Sequence, residues 1–236
     1  MLKEQFLDLN LVTKSFGKGE NKVDVLKNIS FSVNQGEFTI LLGPSGSGKS
    51  TLLHLIGAID QVDSGSISVD GQLLEKMGKR ELLKYRRSSL GYLFQQYNLI
   101  PNLTVKENIE VGAYLSNSPL NVDMVLNRLG LERHKNKLPS SLSGGQQQRT
   151  SLGRAIVKNP KLLLCDEPTG ALDFHTSKEI LKLLQDLNSE FGTTILMVTH
   201  NTVIEKMSDH IIVLHDGGTS KDYYNKNKID ATLLEW

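Results

Sequence analysis

The sequence predicts an α/β fold with a mainly parallel core sheet, and three observations carry that prediction. Residues 38–42 form a short apolar strand that leads into a glycine-rich turn and then into a helix with four apolar residues over 50–57. Residues 162–165 are continuously apolar, as in a strand buried on both faces. Strands over 194–199 and 210–214 alternate with helical segments after it, the order typical of a parallel α/β sheet.

The N-terminal third predicts a second, antiparallel layer of strands. Residues 6–12 alternate apolar with polar, which puts Leu7, Leu9 and Leu11 on one face of a half-buried strand. Residues 29–33 and 67–69 alternate in the same way and are bounded by glycine-containing turns. We therefore expect an antiparallel β layer beside the core.

Residues 95–157 have a helical character that sets them apart from the strands around them. Asn121 is suited to cap a helix whose Val122, Val125, Leu126 and Leu129 fall on one face, and Gly130 is suited to end it. The sequence thus predicts one domain over 1–236. Its core comprises 1–94 and 158–220 and includes the antiparallel layer, 95–157 is an inserted helical subdomain, and 221–236 is a tail that the pattern does not place. A capping-box pattern at Thr176 predicts the start of a further helix.

Composition excludes several classes of function. The 236-residue chain has a net charge of +1 and no run of five like charges, so it does not favour nucleic-acid binding. It has no run of eighteen apolar residues, so we expect no membrane span, and its first ten residues do not read as a signal peptide. The single cysteine, Cys165, fits a reducing compartment and is expected to pack as a small core hydrophobe.

The glycine-rich turn is the most informative stretch of the chain. It matches the phosphate-binding P-loop pattern, which spans the residues Gly43, Pro44, Ser45, Gly46, Ser47, Gly48, Lys49, Ser50 and Thr51. Gly46 and Gly48 let successive N–H groups surround an anion, and the helix N-terminus adds its dipole. Lys49 is placed for the β- and γ-phosphates, and the Ser50 hydroxyl for Mg²⁺. The sequence predicts a nucleoside triphosphate site.

Two further segments belong with this site. Asp166 and Glu167 end the buried apolar strand, where the first can hold the Mg²⁺ shell and the second can orient and deprotonate water. Residues 142–149, Leu-Ser-Gly-Gly-Gln-Gln-Gln-Arg, place two bare glycines at a helix start that Ser143 is suited to cap, which makes a second anion site. One ATP does not need two such sites from one chain.

These motifs together resemble the ATP-binding-cassette (ABC) family. The chain carries, in the family's order, the P-loop, a Q-loop glutamine at Gln95, the LSGGQ signature at 142–149, Walker B at 162–167, a D-loop at 171–173 and a switch histidine at His200. The resemblance covers residues 16–217. It implies a cytoplasmic-side ATPase that forms a homodimer in which each ATP lies between one copy's P-loop and the other copy's signature.

The resemblance also implies roles for individual residues. Lys49, Ser50 and Gln95 would hold phosphates and Mg²⁺, with Asp166 in the outer shell. Glu167 would be the general base, and His200 would contact the γ-phosphate. The partner's ATP would meet Ser143, Gly144, Gly145 and Gln146, and Asp173 would couple the two sites. Phe16 stands where the family often has an adenine-stacking Tyr, and Asn201 where many relatives have Asp.

Within the family the chain most resembles the macrolide-efflux and lipoprotein-release branch (MacB and LolD), which includes bacitracin-type peptide exporters. The similarity lies in residues 12–17 with 25–27, 94–101 and 165–173. It implies a membrane permease as partner, with an extracytoplasmic adaptor in some systems, and outward movement of antibiotics, peptides or lipoproteins. Two alternatives stay open: the ATPase of an importer, and a non-transporting regulatory module of a cell-division-type complex.

The remaining candidates have weaker support. Tyr97, Leu99, Ile100 and Leu103 are suited to interior packing, but the family uses this segment to grip the permease, so we predict a partner contact here. The other histidines lack metal-ligand spacing and are expected to be ordinary surface or core residues: His54, His134, His175, His210 and His215.

Overall fold

The computed structural model describes residues 5–235. The strands are β1 Gln5–Phe16, β2 Val23–Asn34, β3 Phe38–Leu42, β4 Ser64–Val69, β5 Gln72–Leu73, β6 Leu90–Leu93, β7 Leu162–Asp166, β8 Thr194–Thr199, β9 His210–His215 and β10 Gly218–Tyr224. The α-helices are α1 Lys49–Ile56, α2 Lys79–Lys84, α3 Val105–Leu115, α4 Val122–Arg128, α5 Gly144–Ile156 and α6 Phe174–Phe191.

The core is a six-stranded sheet in the order β10-β9-β3-β8-β7-β6. All pairs are parallel except β9 with β10, so the predicted mainly parallel sheet is confirmed. The central strand β3 is buried at every position and leads directly into the P-loop. The antiparallel edge strand β10 includes the first residues of the predicted tail, 221–236. The sequence did not predict a strand here, because these side chains are mostly polar and exposed.

The second sheet has the order β2-β1-β4-β5, and the register of its pairs is antiparallel, as predicted. One prediction within it is wrong: Leu11 does not share a face with Leu7 and Leu9 but is 56% exposed. Its φ is +50°, at an irregularity in both pairings of β1, and Val12 is buried instead. An inserted residue at a bulge moves the following side chains to the opposite face.

Apolar clusters cover both faces of the core sheet. Ile40 and Leu163 belong to the cluster that includes helices α3 to α6, while Leu41 and Leu164 pack with α1 and the antiparallel sheet. The signature helix α5 therefore shares a continuous core with the parallel sheet. Helix α5 thus packs on the face of the sheet opposite to α1.

Side-chain caps set the starts of helices α4 and α6, and the start of α6 differs from the predicted position. Asn121 caps α4 by accepting from the Met124 N–H at 2.9 Å, as predicted. Helix α6 begins at Phe174 and not at the Thr176 capping box, because the Asp173 carboxylate accepts from the Thr176 N–H at 3.0 Å and from its hydroxyl at 2.7 Å. Within residues 5–235 no helix is long and apolar enough to cross a bilayer.

Candidate nucleotide site

The P-loop is shaped by glycines at positions where the backbone conformation or a close contact disfavours a side chain. Gly46 and Gly48 have φ of +81° and +94°. A Cβ at Gly48 would lie 2.6 Å from Leu26 Cδ2, and one at Gly43 would lie 2.5 Å from the Leu214 carbonyl oxygen. The loop thus turns tightly against strand β9 and the antiparallel sheet before α1 begins at Lys49. This is the concave backbone that surrounds a phosphate.

Lys49 is buried in the mouth of this loop. Its Nζ donates to the carbonyl oxygens of Gly43 and Pro44, both at 2.8 Å. Burial lowers the pKa of Lys49, while the carboxylates of Glu167 and Asp166 act in the opposite direction. A desolvated ammonium that bonds to neutral carbonyl oxygens is stabilised further when it bonds to anionic phosphate oxygens.

Ser50 and Asp166 form the candidate metal position. The Ser50 hydroxyl donates to Asp166 Oδ1 at 3.0 Å, which leaves the lone pairs of the Ser50 oxygen for a cation. Burial raises the pKa of Asp166, whereas the Ser50 bond and the nearby His54 and Lys49 oppose the rise. Hydroxyl and carboxylate oxygens suit Mg²⁺. No cluster of three His, Cys, Asp or Glu that could hold a metal occurs in the described chain.

A buried hydroxyl also fits an anionic ligand. Ser47 is 3% exposed, and its Oγ has no hydrogen-bond partner among the described residues. Since an unsatisfied buried hydroxyl costs free energy, a donor left open inside the loop fits a phosphate oxygen as its missing partner.

Glu167 and His200 face each other beside this position. His200 Nδ1 lies 3.2 Å from Glu167 Oε1. Glu167 has φ of +44°, a conformation that costs a non-glycine residue about 1 kcal/mol or more. Its backbone is held there by its N–H donating to the Val198 carbonyl at 3.1 Å and by the Gly170 N–H donating to its carbonyl at 3.0 Å. The strained turn fixes the carboxylate at the carboxyl edge of the sheet.

Gln95 and Phe16 are the two remaining residues predicted for the nucleotide site. Gln95 Nε2 and Glu167 Oε2 both lie 3.4 Å from the point where a Cβ at Gly170 would stand, so the amide and the carboxylate are neighbours. Phe16 ends β1 and is 45% exposed, with Lys14 Nζ 5.3 Å from its ring centroid. The exposed ring face is suited to stacking on a base.

The signature segment begins α5 with a complete capping box. Ser143 Oγ accepts from the Gln146 N–H at 3.3 Å, and Gln146 Oε1 accepts from the Ser143 N–H at 3.1 Å. A Cβ at Gly144 would stand 2.9 Å from Tyr97 Oη, and one at Gly145 would stand 2.4 Å from Thr176 Cγ2. A side chain at either glycine would therefore require the facing side chain to shift.

Sequence reasoning missed several residues that build the site. Lys14 is buried and donates to Asp60 Oδ1 at 2.9 Å beneath Phe16. His134 Nε2 lies 3.2 Å from Gln146 Nε2 on the signature helix. Asn201 caps the short helix Thr202–Met207 by accepting from the Val203 N–H at 3.0 Å. The sequence did not predict these contacts, because each of them either joins segments that are distant in sequence or belongs to no recognised motif. Cys165 is buried in β7, as predicted.

The segment predicted to contact the permease is a surface loop whose backbone is held by a buried side chain. Ile100 is exposed, while Tyr97, Leu99 and Leu103 are half-buried. The buried Asn108 of α3 fixes the loop backbone: its Oδ1 accepts from the Ile100 N–H at 2.8 Å. Its Nδ2 donates to the carbonyl oxygens of Ile100, Leu103 and Thr104 at 3.1, 2.9 and 3.0 Å.

Asn108→Ala is therefore expected to lower the free energy of unfolding by about 2–4 kcal/mol, because it removes the side-chain partner of the Ile100 N–H and of the Leu103 carbonyl. Urea unfolding followed by circular dichroism measures the change. The exposed Asn102→Ala is the control and should change stability by less than about 0.5 kcal/mol. Equal stabilities of the two variants would contradict the pinning role.

Fold and site together define a P-loop nucleoside triphosphatase: a parallel sheet, a phosphate loop at the end of its central strand β3, and an acidic pair at the end of β7, which β8 separates from β3. The family model described as "ABC transporter" matches residues 26–170. The chain belongs to the ABC transporter family.

Known relatives agree with this assignment. The chain is 42% identical over 237 residues to the putative ABC transporter ATP-binding protein MG065 homolog of Mycoplasma pneumoniae, with 99% of this chain and 51% of that protein covered. It is 41% identical over 216 residues to the macrolide export ATP-binding/permease protein MacB of Mannheimia succiniciproducens, with 89% and 33% covered. The chain thus spans about half the length of the first relative and a third of the second.

A solved structure has the same fold. It is a dimeric post-hydrolysis state of the ATP-binding cassette MJ0796 bound to ADP and Pi, from a protein of Methanocaldococcus jannaschii. The TM-score is 0.85 at 38% identity, with 94% of this chain and 99% of that chain covered. The predicted family resemblance and fold class are therefore confirmed.

Proposed function

We propose that this chain is the ATP-hydrolysing subunit of a membrane exporter, in which two copies close on ATP and drive a permease. One observation carries the proposal. The chain has a phosphate loop and a separate helix N-terminus with two glycines at residues 143–145, where the atoms nearest to Gly144 and Gly145 belong to Tyr97, Leu172 and Thr176. A second copy placed head to tail would bring each signature to the other copy's ATP.

Within one copy, the P-loop and Lys49 would hold the β- and γ-phosphates. Ser50 and Gln95 would hold Mg²⁺ together with phosphate oxygens, with Asp166 behind them through its bond with Ser50. The metal would supply charge neutralisation on the transferred phosphoryl group. Phe16 would stack on adenine. On binding phosphate, Lys49 would exchange its hydrogen bonds with two neutral carbonyl oxygens for bonds with anionic phosphate oxygens, and this exchange favours phosphate binding.

Glu167 would accept the proton of the attacking water, and His200, next to it, would orient that carboxylate and contact the γ-phosphate. Across the dimer, Ser143, Gly144 and Gly145 would donate N–H groups and the hydroxyl to the γ-phosphate, beside Gln146. Asp173, which caps α6 next to the signature, would couple the two sites. Hydrolysis removes the bridging phosphate, so the dimer opens.

The loop with Tyr97, Leu99, Ile100 and Leu103 would meet the permease, which places the chain on the cytoplasmic side of a membrane. In this proposal residues 95–157 move as the signature subdomain against the core of 1–94 and 158–220. The export direction is supported by the similarity to MacB, whose name gives macrolide export. Antibiotics, peptides or lipoproteins are the proposed cargo.

Affinity purification of the tagged chain from detergent-solubilised membranes, followed by mass spectrometry, tests the partner. We expect a permease with few spans and a large external domain, with or without an extracytoplasmic adaptor. A many-span permease with a solute-binding protein would replace export with import. Division or cell-wall proteins would make the chain a regulatory module, and the absence of any membrane partner would contradict the proposal.

A further inference from the structure

The loop that follows Gln95 and the signature helix α5 are in direct contact through Tyr97. Its phenol oxygen lies 2.9 Å, and its Cζ 3.8 Å, from the point where a Cβ at Gly144 would stand. Tyr97 is half-buried. The end of its ring thus packs against the first residue of α5, and a side chain at Gly144 would require the Tyr97 hydroxyl to shift.

The main chain of Tyr97 contacts the same helix near its other end. Arg154 Nη2 donates to the Tyr97 carbonyl oxygen at 3.2 Å. Arg154 lies ten residues after Gly144, roughly 15 Å along the helix axis at 1.5 Å per residue. Burial lowers the pKa of the Arg154 guanidinium. A single residue of the loop is therefore tied to both the first and the last turns of the signature helix.

The start of α5 also contacts the D-loop region. Leu172 Cδ2 lies 3.5 Å from the same Cβ position at Gly144, and Thr176 Cγ2 lies 2.4 Å from that at Gly145. Thr176 is in turn bonded to Asp173. The first two residues of the helix therefore contact both Tyr97 and the D-loop region, and close-packed contacts of this kind transmit small displacements.

We propose that Tyr97 is a positioning residue that fixes the N-terminus of the signature helix relative to the Gln95 loop. This rests on the proposed function, because it gives the contact a consequence: a shift of the partner-facing loop moves the N–H groups offered to the other copy's ATP. Tyr97 acts through α5 and touches no nucleotide of its own P-loop.

Hydrogen exchange of the free chain tests the positioning itself. In Tyr97→Ala the amides of Gln146 and Gln147, which bond to Ser143, should exchange about 2- to 30-fold faster, the range of coupling through packed residues. Tyr97→Phe, which keeps the ring, should lie between Tyr97→Ala and the parent. Tyr114→Phe, at an 83% exposed tyrosine, is the matched control. Unchanged exchange in Tyr97→Ala would overturn the proposal.

The second readout separates positioning from a loss of ATP binding. In a Glu167→Gln background, Tyr97→Ala should keep the ATP affinity of the monomer and weaken MgATP-dependent dimerisation about 2- to 30-fold. If Tyr97→Ala dimerised as well as its Glu167→Gln parent, the positioning role would be contradicted. A loss of ATP affinity as large as the loss of dimerisation would contradict it too. If the Glu167→Gln parent itself stays monomeric, the proposed dimer fails, and the exchange measurement alone decides the role of Tyr97.

Discussion

Glu167→Gln is expected to lower the rate of ATP hydrolysis by about 10²–10⁴-fold while ATP binding is kept, the loss typical of a general base. Glutamine has nearly the same shape and can still bond His200, which lies 3.2 Å from the carboxylate, but it cannot take a proton from water. The backbone at φ +44° stays in place because its bonds to Val198 and Gly170 do not involve the side chain. Steady-state phosphate release measures the effect.

The exposed Glu132→Gln is the matched control for this substitution and should retain the parent rate. Calorimetric titration with ATP in the presence of Mg²⁺ should give similar dissociation constants for Glu167→Gln and the parent chain. Hydrolysis by Glu167→Gln within tenfold of the parent rate would remove Glu167 from the catalytic role, and the base would have to be sought elsewhere.

Lys49→Ala is expected to weaken ATP binding by about 100-fold or more. The substitution removes a buried ammonium that would make charge-assisted hydrogen bonds with phosphate oxygens, each worth about 1.5–3 kcal/mol. It also leaves the Gly43 and Pro44 carbonyls without the donor that now holds the loop mouth. Calorimetric titration with ATP gives the affinity, and circular dichroism confirms that the fold is retained.

Lys161→Ala is the control for charge alone, since Lys161 is exposed and pairs with Asp70 on the surface. It should bind ATP with the parent affinity. An unchanged dissociation constant for Lys49→Ala would contradict the assignment of the phosphate site, and so would an equal loss in both variants, because that would reduce the role of Lys49 to net charge.

Local chemistry accounts for the parts of the fold that the sequence predicted well. The strand before the P-loop, the buried β7 and the α4 cap at Asn121 each follow from neighbouring residues: apolar runs, glycines with positive φ, and a side chain that accepts from the third residue on. The P-loop, Walker B and signature motifs carry their geometry in the same way.

The misses depend on tertiary contacts that no local pattern contains. Leu11 leaves the core face because β1 bulges where Gly65 of β4 packs on it: a Cβ at Gly65 would stand 2.4 Å from the Leu11 carbonyl oxygen. Strand β10 forms because β9 offers an edge, although its own residues are polar. The contact of Tyr97 with Gly144 likewise joins segments whose proximity the chain pattern does not show.

The oligomeric state of Glu167→Gln with MgATP tests the central claim most directly. Light scattering after size exclusion should find monomers without nucleotide and with MgADP, and dimers with MgATP. Adding Ser143→Asp to the same chain keeps a good N-cap but places a carboxylate where the partner's γ-phosphate would lie, so this variant should bind ATP and remain monomeric. The account would be contradicted by monomers of Glu167→Gln at ATP and protein concentrations far above the ATP dissociation constant, or by equal dimerisation of the Ser143→Asp variant.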